Sequence, residues 1–150
     1  MQRSVRYSLI VFGVLALSAL LGFAQEGEFD ILGETQQIEY PRITAEELKQ
    51  LIDTKATDDI LIVDNAPKEA YDEGHIPGAV NFPWANQIKP PIKLPRNKTL
   101  IMYCPCTAEE DSTDMANKLR MFGYRNIKLL AGGWFKWEEL KYPIEKSTEN

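Results

Sequence analysis

The sequence predicts an α/β fold built on a parallel sheet with helices on both faces, and three observations carry that expectation. Short continuous apolar runs lie at 60–63 and 100–103, the pattern of strands covered on both sides, and Ile127 to Leu130, interrupted by Lys128, reads as a last strand. Segments with apolar residues at helical spacing alternate with them in the chain, as at Leu48, Leu51 and Ile52 before the first run and at Met115, Ala116, Leu119 and Phe122 after the second. Glycine and proline turns punctuate the two kinds of segment. Strands alternating with helices at these lengths pair in parallel, and sites in such sheets form at the carboxyl ends of strands.

The elements follow in chain order. Met1 to Tyr7 carries Arg3 and Arg6 and no acid, residues 9–21 are almost wholly apolar, and small residues Gly22 and Ala24 flank Phe23. This is the three-part grammar of a secretory signal peptide over residues 1–24. The apolar run is shorter than the roughly 20 residues of a spanning helix, so a retained membrane anchor ranks second. Residues 25–39 read as a flexible leader, 40–146 as the folded domain and 147–150 as a tail. The expected location is the periplasm or the extracellular space, with no stable membrane insertion after cleavage.

Ile38, Glu39, Tyr40 and Ile43 read as a short first strand. Thr44 and Glu47 form a capping-box pattern ahead of the first helix. The run 60–63 ends in Asp64, which either orients a neighbouring loop or caps the next turn. Residues 67–73 read as a brief helix stopped by Gly74, and 74–81 as a turn entering another short strand. Residues 84–97, with Pro90, Pro91 and Pro95, read as surface loop. A glycine turn at Gly132 and Gly133 precedes a last amphipathic helix over 134–140.

With 150 residues and a net charge of −5, a single acidic domain with a real core is expected. The charge argues against nucleic acid or an anionic membrane surface as the main partner. Loss of residues 1–24 would move it to −7, because Arg3 and Arg6 leave without any acid. The two cysteines, one residue apart, make neither a disulfide scaffold nor a four-ligand zinc site.

The stretch 100–123 holds those cysteines. A strand enters it, a helix leaves it with Gly123 as its stop, and Cys104 and Cys106 lie in the turn between. The amino end of a helix presents free N–H groups that favour an anion, which makes a thiol there a nucleophile. Glu109, Glu110 and Asp111 in the same turn oppose this.

The segments VDN…EAYDEGHIPGAVNFP (63–83), LIMYC…S…A..L...GY.NI (100–127) and LLAGGWFKW (129–137) resemble the rhodanese domain over roughly residues 40–145. The resemblance implies a three-layer sandwich with a five-stranded parallel sheet between helices. It also implies sulfurtransfer, in which a loop cysteine takes a sulfane sulfur as a persulfide and passes it to an acceptor thiol. Donor and acceptor are free or protein-borne, and no metal or organic cofactor is needed. In that family a Ser, an Ala, a Leu and a Gly lie at set distances after the nucleophile. Counting from Cys106 meets Ser112, Ala116, Leu119 and Gly123 without a gap, whereas counting from Cys104 needs two inserted residues. Cys106 is therefore the candidate nucleophile, with Cys104 as the rival, because Tyr103 and Cys104 match the Tyr-Cys that the family places at the strand end. The backbone of Thr107, Ala108, Glu109, Glu110, Asp111 and Ser112 is the candidate anion cradle, Ser112 helps fix the helix start, and Asp64 is a candidate support.

The family's arginine before that serine is Asp111 here, and its arginine after the strand-end aspartate is Ala66. Two unit charges about 7 Å apart in water interact by about 0.6 kcal/mol. Three acids would thus cost a thiolate about 1 kcal/mol, comparable to what a helix terminus returns. Cys106 can still ionise, but a doubly charged donor such as thiosulfate is disfavoured. Cys104 has three open roles: a small buried apolar residue, a resolving thiol, or half of an exchange couple. Pro105 biases Cys104 toward extended backbone, which would hold the two Cα atoms near the upper limit for a bridge. His75 reads as a turn histidine bonded to backbone within 74–79 rather than as a base or metal ligand. The acidic run reads as a solvated loop face rather than a metal site, and Trp134 and Trp137 as packing. The rival function is a non-catalytic binding or thiol redox-sensing module using Cys104 and Cys106.

Overall fold

A computed structural model describes residues 38–147. The expected signal peptide at 1–24, the leader up to residue 37 and the tail from 148 lie outside the described residues. Among the described residues, no helix is long and apolar enough to cross a membrane.

Among the described residues, five strands form one all-parallel sheet: β1 (Arg42–Ile43), β2 (Ile60–Asp64), β3 (Val80–Asn81), β4 (Thr99–Tyr103) and β5 (Ile127–Leu130), in the order β1-β5-β4-β2-β3. Among the described residues, four helices accompany it: α1 (Ala45–Asp53), α2 (Lys68–Glu73), α3 (Glu110–Met121) and α4 (Gly133–Glu139). The register Asp64↔Tyr103 and Met102↔Leu129 sets β4 at the centre, so the chain leaving it is flanked by the exits of β2 and β5.

Alternation along β2 and β4 sends side chains to two separate cores. Val63, Leu100 and Met102 meet Met115, Ala116 and Leu119 of α3 on one face. Ile62, Ile101 and Tyr103 meet Leu48 of α1 and Trp137 of α4 on the other. The sheet is thus the middle of three layers, as the family resemblance implied.

The capping box forms as read, with Thr44 Oγ1 accepting from the Glu47 amide at 3.1 Å and Glu47 Oε2 accepting from the Thr44 amide at 2.9 Å. The first strand is shorter than expected. Residues 38–40 are not part of it, because Pro41 has no N–H for the ladder and only offers its carbonyl to the Leu129 amide. Residues 84–97 hold no strand or helix, yet Leu94 is buried, with Ile88 and Ile92 packed against the α3-side core. At the end of α3, Gly123 adopts φ +87°, which a side chain would resist.

Candidate active site

The site grows from the exit of β4. Tyr103 and Cys104 would end the strand with unpaired carbonyls, and neighbours supply the donors. The Asn65 amide donates to Tyr103 O at 2.8 Å, and the Trp134 amide donates to Cys104 O at 3.1 Å. The second contact requires glycine at 133. A Cβ there would lie 2.6 Å from Cys104 O, and the backbone has φ +52°. The double-glycine turn therefore does more than reverse the chain, since it lets α4 approach the cysteine backbone.

Cys104 is fully buried and Cys106 is partly exposed, and the two are joined in a disulfide. Their Cα atoms lie 5.3 Å apart. This corrects the expectation that Pro105 would hold them near the upper limit of about 6.8 Å, since the separation is ordinary for a bridge. Cys104 Sγ also sits 3.6 Å from Ser112 Oγ, and the Ser112 hydroxyl donates to Glu109 O at 3.0 Å.

The acidic run is not one solvated face, which corrects the reading of Glu109. Its residue is only 8% exposed, with Oε2 accepting from Arg42 Nε at 3.1 Å and Oε1 from the Gly132 amide at 2.9 Å. It therefore ties β1 and the glycine turn to the start of α3. Its backbone takes the left-handed conformation (φ 61°, ψ 25°), which costs a non-glycine residue about 1 kcal/mol and is held by these bonds. Glu110 is exposed, and its carboxylate accepts from the Ala108 amide at 3.1 Å. One amide of the expected cradle is thus already used by a carboxylate. Asp111 and Thr113 are partly exposed, and Thr107 and Ala108 are exposed. The guanidinium that reaches this loop, Arg42, is spent on Glu109.

Beside the loop, on the other face of the sheet, Asp64 is 2% exposed. Oδ2 accepts from the Tyr103 hydroxyl at 2.6 Å and Oδ1 from the Ala66 amide at 2.8 Å, while the Ile76 amide donates to the Tyr103 hydroxyl oxygen at 3.0 Å. Burial pushes the Asp64 carboxyl up, against the Tyr103 and Ala66 hydrogen bonds that lower it. Burial, and then the charge of Asp64, push the Tyr103 hydroxyl far up, so it stays a donor. Asp64 thus both caps the turn after β2 and braces β4 through Tyr103. A pocket of about 30 Å³ lies here, lined by Asp64, Ala66, Tyr103, Pro105 and Trp134 among others, with room for about one water molecule. The space beside the loop is larger, a groove of about 600 Å³ with Tyr40 and Arg42 on one side and Ala108, Glu110 and Asn117 on the other.

His75 stacks on Tyr71 with ring centroids 3.8 Å apart, and its Nδ1 lies 2.7 Å from Tyr71 O. It is a packed backbone-bonded histidine, although the carbonyl lies in α2 rather than within 74–79. Trp137 is buried and donates to Pro143 O at 2.8 Å, while Trp134 walls the small pocket. Among the described residues, no group of three or more His, Cys, Asp or Glu side chains could hold a metal ion.

Sequence reasoning missed Arg42, Tyr103 and Asn65. The Arg42–Glu109 pair spans 67 positions and leaves no local signal. Tyr103 read only as an apolar strand residue. Asn65 is fully buried, donates from Nδ2 to Phe82 O at 2.7 Å, and carries an Oδ1 without a hydrogen-bond partner.

Comparison with known proteins agrees with this geometry. The family model for the rhodanese-like domain matches residues 44–140. The crystal structure of BH2092 from Bacillus halodurans is similar at 31% identity and a TM-score of 0.62, covering 71% of this chain and 77% of that one. The sulfur carrier protein TtuD of Thermus thermophilus is 32% identical over 55% of this chain and 35% of its own length. The adenylyltransferase and sulfurtransferase UBA4 of Lodderomyces elongisporus is 32% identical over 65% of this chain and 23% of its own. The chain thus spans about a third or less of the length of these two curated relatives.

Proposed function

Since the chain belongs to the rhodanese-like domain family, we propose that it is an exported sulfurtransferase that carries sulfane sulfur as a persulfide on Cys106. One observation supports this most: Cys106 is the partly exposed member of a bonded sulfur pair in the loop at the end of the central strand. Reduction of the bridge frees its thiolate. That thiolate attacks the outer sulfur of a donor persulfide, the donor S–S bond breaks, and the donor leaves as a thiol with the proton. An acceptor thiolate then attacks the outer sulfur on Cys106, takes it, and returns Cys106 as a thiolate. The start of α3 and the loop amides favour the anionic forms.

The loop's charge narrows the donor. Arg42 is neutralised by Glu109, Glu110 occupies the Ala108 amide, and Asp111 and Ala66 stand where the family has arginines. A neutral or protein-borne persulfide suits this loop better than thiosulfate. Periplasmic or extracellular residence follows from the signal-like residues 1–24 and forms part of the proposal.

The test is intact mass after reduction and incubation with an organic persulfide or with thiosulfate. Cys104→Ser should gain one sulfur atom from the organic donor and Cys106→Ser none. Thiosulfate should load at least about tenfold more slowly, the factor that about 1.4 kcal/mol of extra repulsion and lost ion pairing produces. Efficient thiosulfate turnover would overturn the donor assignment, and loading confined to Cys104 the nucleophile. The bridge itself favours a second reading, a thiol redox module. No sulfur uptake from any donor, with reversible loss of two hydrogens on oxidation, would support that instead.

A further inference from the structure

We infer that Cys104 terminates the reaction inside the chain, resolving the Cys106 persulfide and releasing its sulfur as sulfide, so that the domain acts as a dithiol-dependent persulfide reductase. The inference rests on Cys106 loading as proposed above and adds a second fate for the sulfur, taken when no acceptor thiol removes it first.

Three observations carry it. The bridge shows that Cys104 Sγ reaches Cys106 Sγ, the inner sulfur of any persulfide formed there. The backbone around the attacking residue is anchored by other elements, with Cys104 O held by the Trp134 amide and Tyr103 O by the Asn65 amide. The Cys104 side is therefore fixed, and closing the bridge calls on motion of the Cys106 side alone. Finally, Cys104 is 0% exposed whereas Cys106 is partly open. A thiol that no external donor or acceptor can touch has one electrophile within reach, and that is the sulfur on Cys106.

Ser112 gives the Cys104 proton a place. Its own hydroxyl hydrogen is committed to Glu109 O, so the Oγ lone pairs, 3.6 Å from Cys104 Sγ, can accept the thiol proton in the reduced form.

The step balances. Cys104 Sγ attacks Cys106 Sγ, the bond between Cys106 Sγ and the outer sulfur breaks, and the outer sulfur takes up the Cys104 proton and leaves as hydrosulfide. The two cysteine sulfurs are together oxidised by two electrons and the carried sulfur leaves at the sulfide level. The bridge so formed is the one observed. A dithiol reductant then attacks the accessible Cys106 Sγ, Cys104 leaves as a thiol, and closure of the reductant's own disulfide restores both cysteines. Attack at the outer sulfur instead would move the persulfide to Cys104 and release no sulfide.

A single turnover of the full chain tests this. The protein is reduced, freed of reductant without air, and given one equivalent of an organic persulfide. Donor thiol, sulfide and intact mass are then followed. The wild type should release close to one sulfide per chain and end two hydrogens lighter with no retained sulfur, and dithiothreitol should permit a second turnover. Cys104→Ser and Cys104→Ala, checked by circular dichroism for folding, should release donor thiol, keep the sulfur and release little sulfide. Wild type that retains the sulfur without sulfide overturns the inference while leaving Cys106 loading intact. No donor thiol release from wild type or either Cys104 variant overturns the sulfurtransfer reading, and this inference with it.

Discussion

Two chain segments leave the sheet side by side at its carboxyl edge, and they are built on opposite plans. The exit of β2 buries a carboxylate and a phenol in a closed network with two backbone amides, those of Ile76 and Ala66. The exit of β4 buries one sulfur and leaves the other within reach of solvent. The first segment is a brace and the second a loop that presents a sulfur. Tyr103 belongs to both, ending β4 while its hydroxyl serves Asp64. The contrast teaches that the Asp64–Tyr103 network holds the end of β4 from the other face of the sheet, so that the cysteine loop starts from a fixed support.

Perturbing each side separates them. The largest stability loss is expected for Gly133→Ala, whose Cβ meets Cys104 O at 2.6 Å at positive φ. Strain together with a displaced Trp134 amide should cost about 3 kcal/mol, read as a lower urea midpoint with the slope unchanged. Tyr103→Phe should come next. It leaves Asp64 Oδ2 and the Ile76 amide without their partner, at a cost of about 2 kcal/mol, while sulfur loading of Cys106 is retained because the brace does not touch it. Loss of loading with stability kept would break the division between brace and loop.

A smaller effect concerns pH. The Asp64 carboxyl is held above its ordinary 3.8 by burial, so the folded state binds its proton before the unfolded chain does. Stability from this group therefore rises as pH falls through the folded value, is complete below 3.8, and is lost as pH climbs back. The stability of wild type minus that of Asp64→Asn should rise between neutral pH and pH 4 in paired denaturation curves, and a difference that falls toward acid would refute the raised carboxyl. The smallest effect is expected for Glu110→Ala. It frees the Ala108 amide and removes one acid from the loop, so thiosulfate loading should rise about two- to fivefold, the factor of about 0.4–1 kcal/mol. Stability should change by less than about 0.5 kcal/mol, as at most exposed positions.

The legibility of these features follows from their range. The capping box, the apolar strands and the glycine stop at 123 are local, and each was readable because its physics acts within a few residues. The fate of the acidic run was not. Glu109, Glu110 and Asp111 look alike in sequence, yet Arg42 and Gly132, 67 and 23 positions away, draw only Glu109 inward. The spacing of the two cysteine Cα atoms is illegible locally for a related reason. Pro105 restricts its neighbour locally, but the path of the turn between Cys104 and Cys106 is set by Trp134, Gly133 and the start of α3. The missing first-strand residues mark the reverse case, where a local rule at Pro41 was available and outweighed the apolar pattern.

By itself, the sequence determined the layered α/β class, the order of strands and helices, and the placing of both cysteines at a strand-to-helix turn, because periodicity and turn chemistry are written in neighbouring residues. Only the tertiary structure decided which cysteine is buried, which acid is neutralised and which tyrosine braces the strand. Those outcomes depend on what packs against a residue from distant parts of the chain, and burial and pairing are properties of that packing.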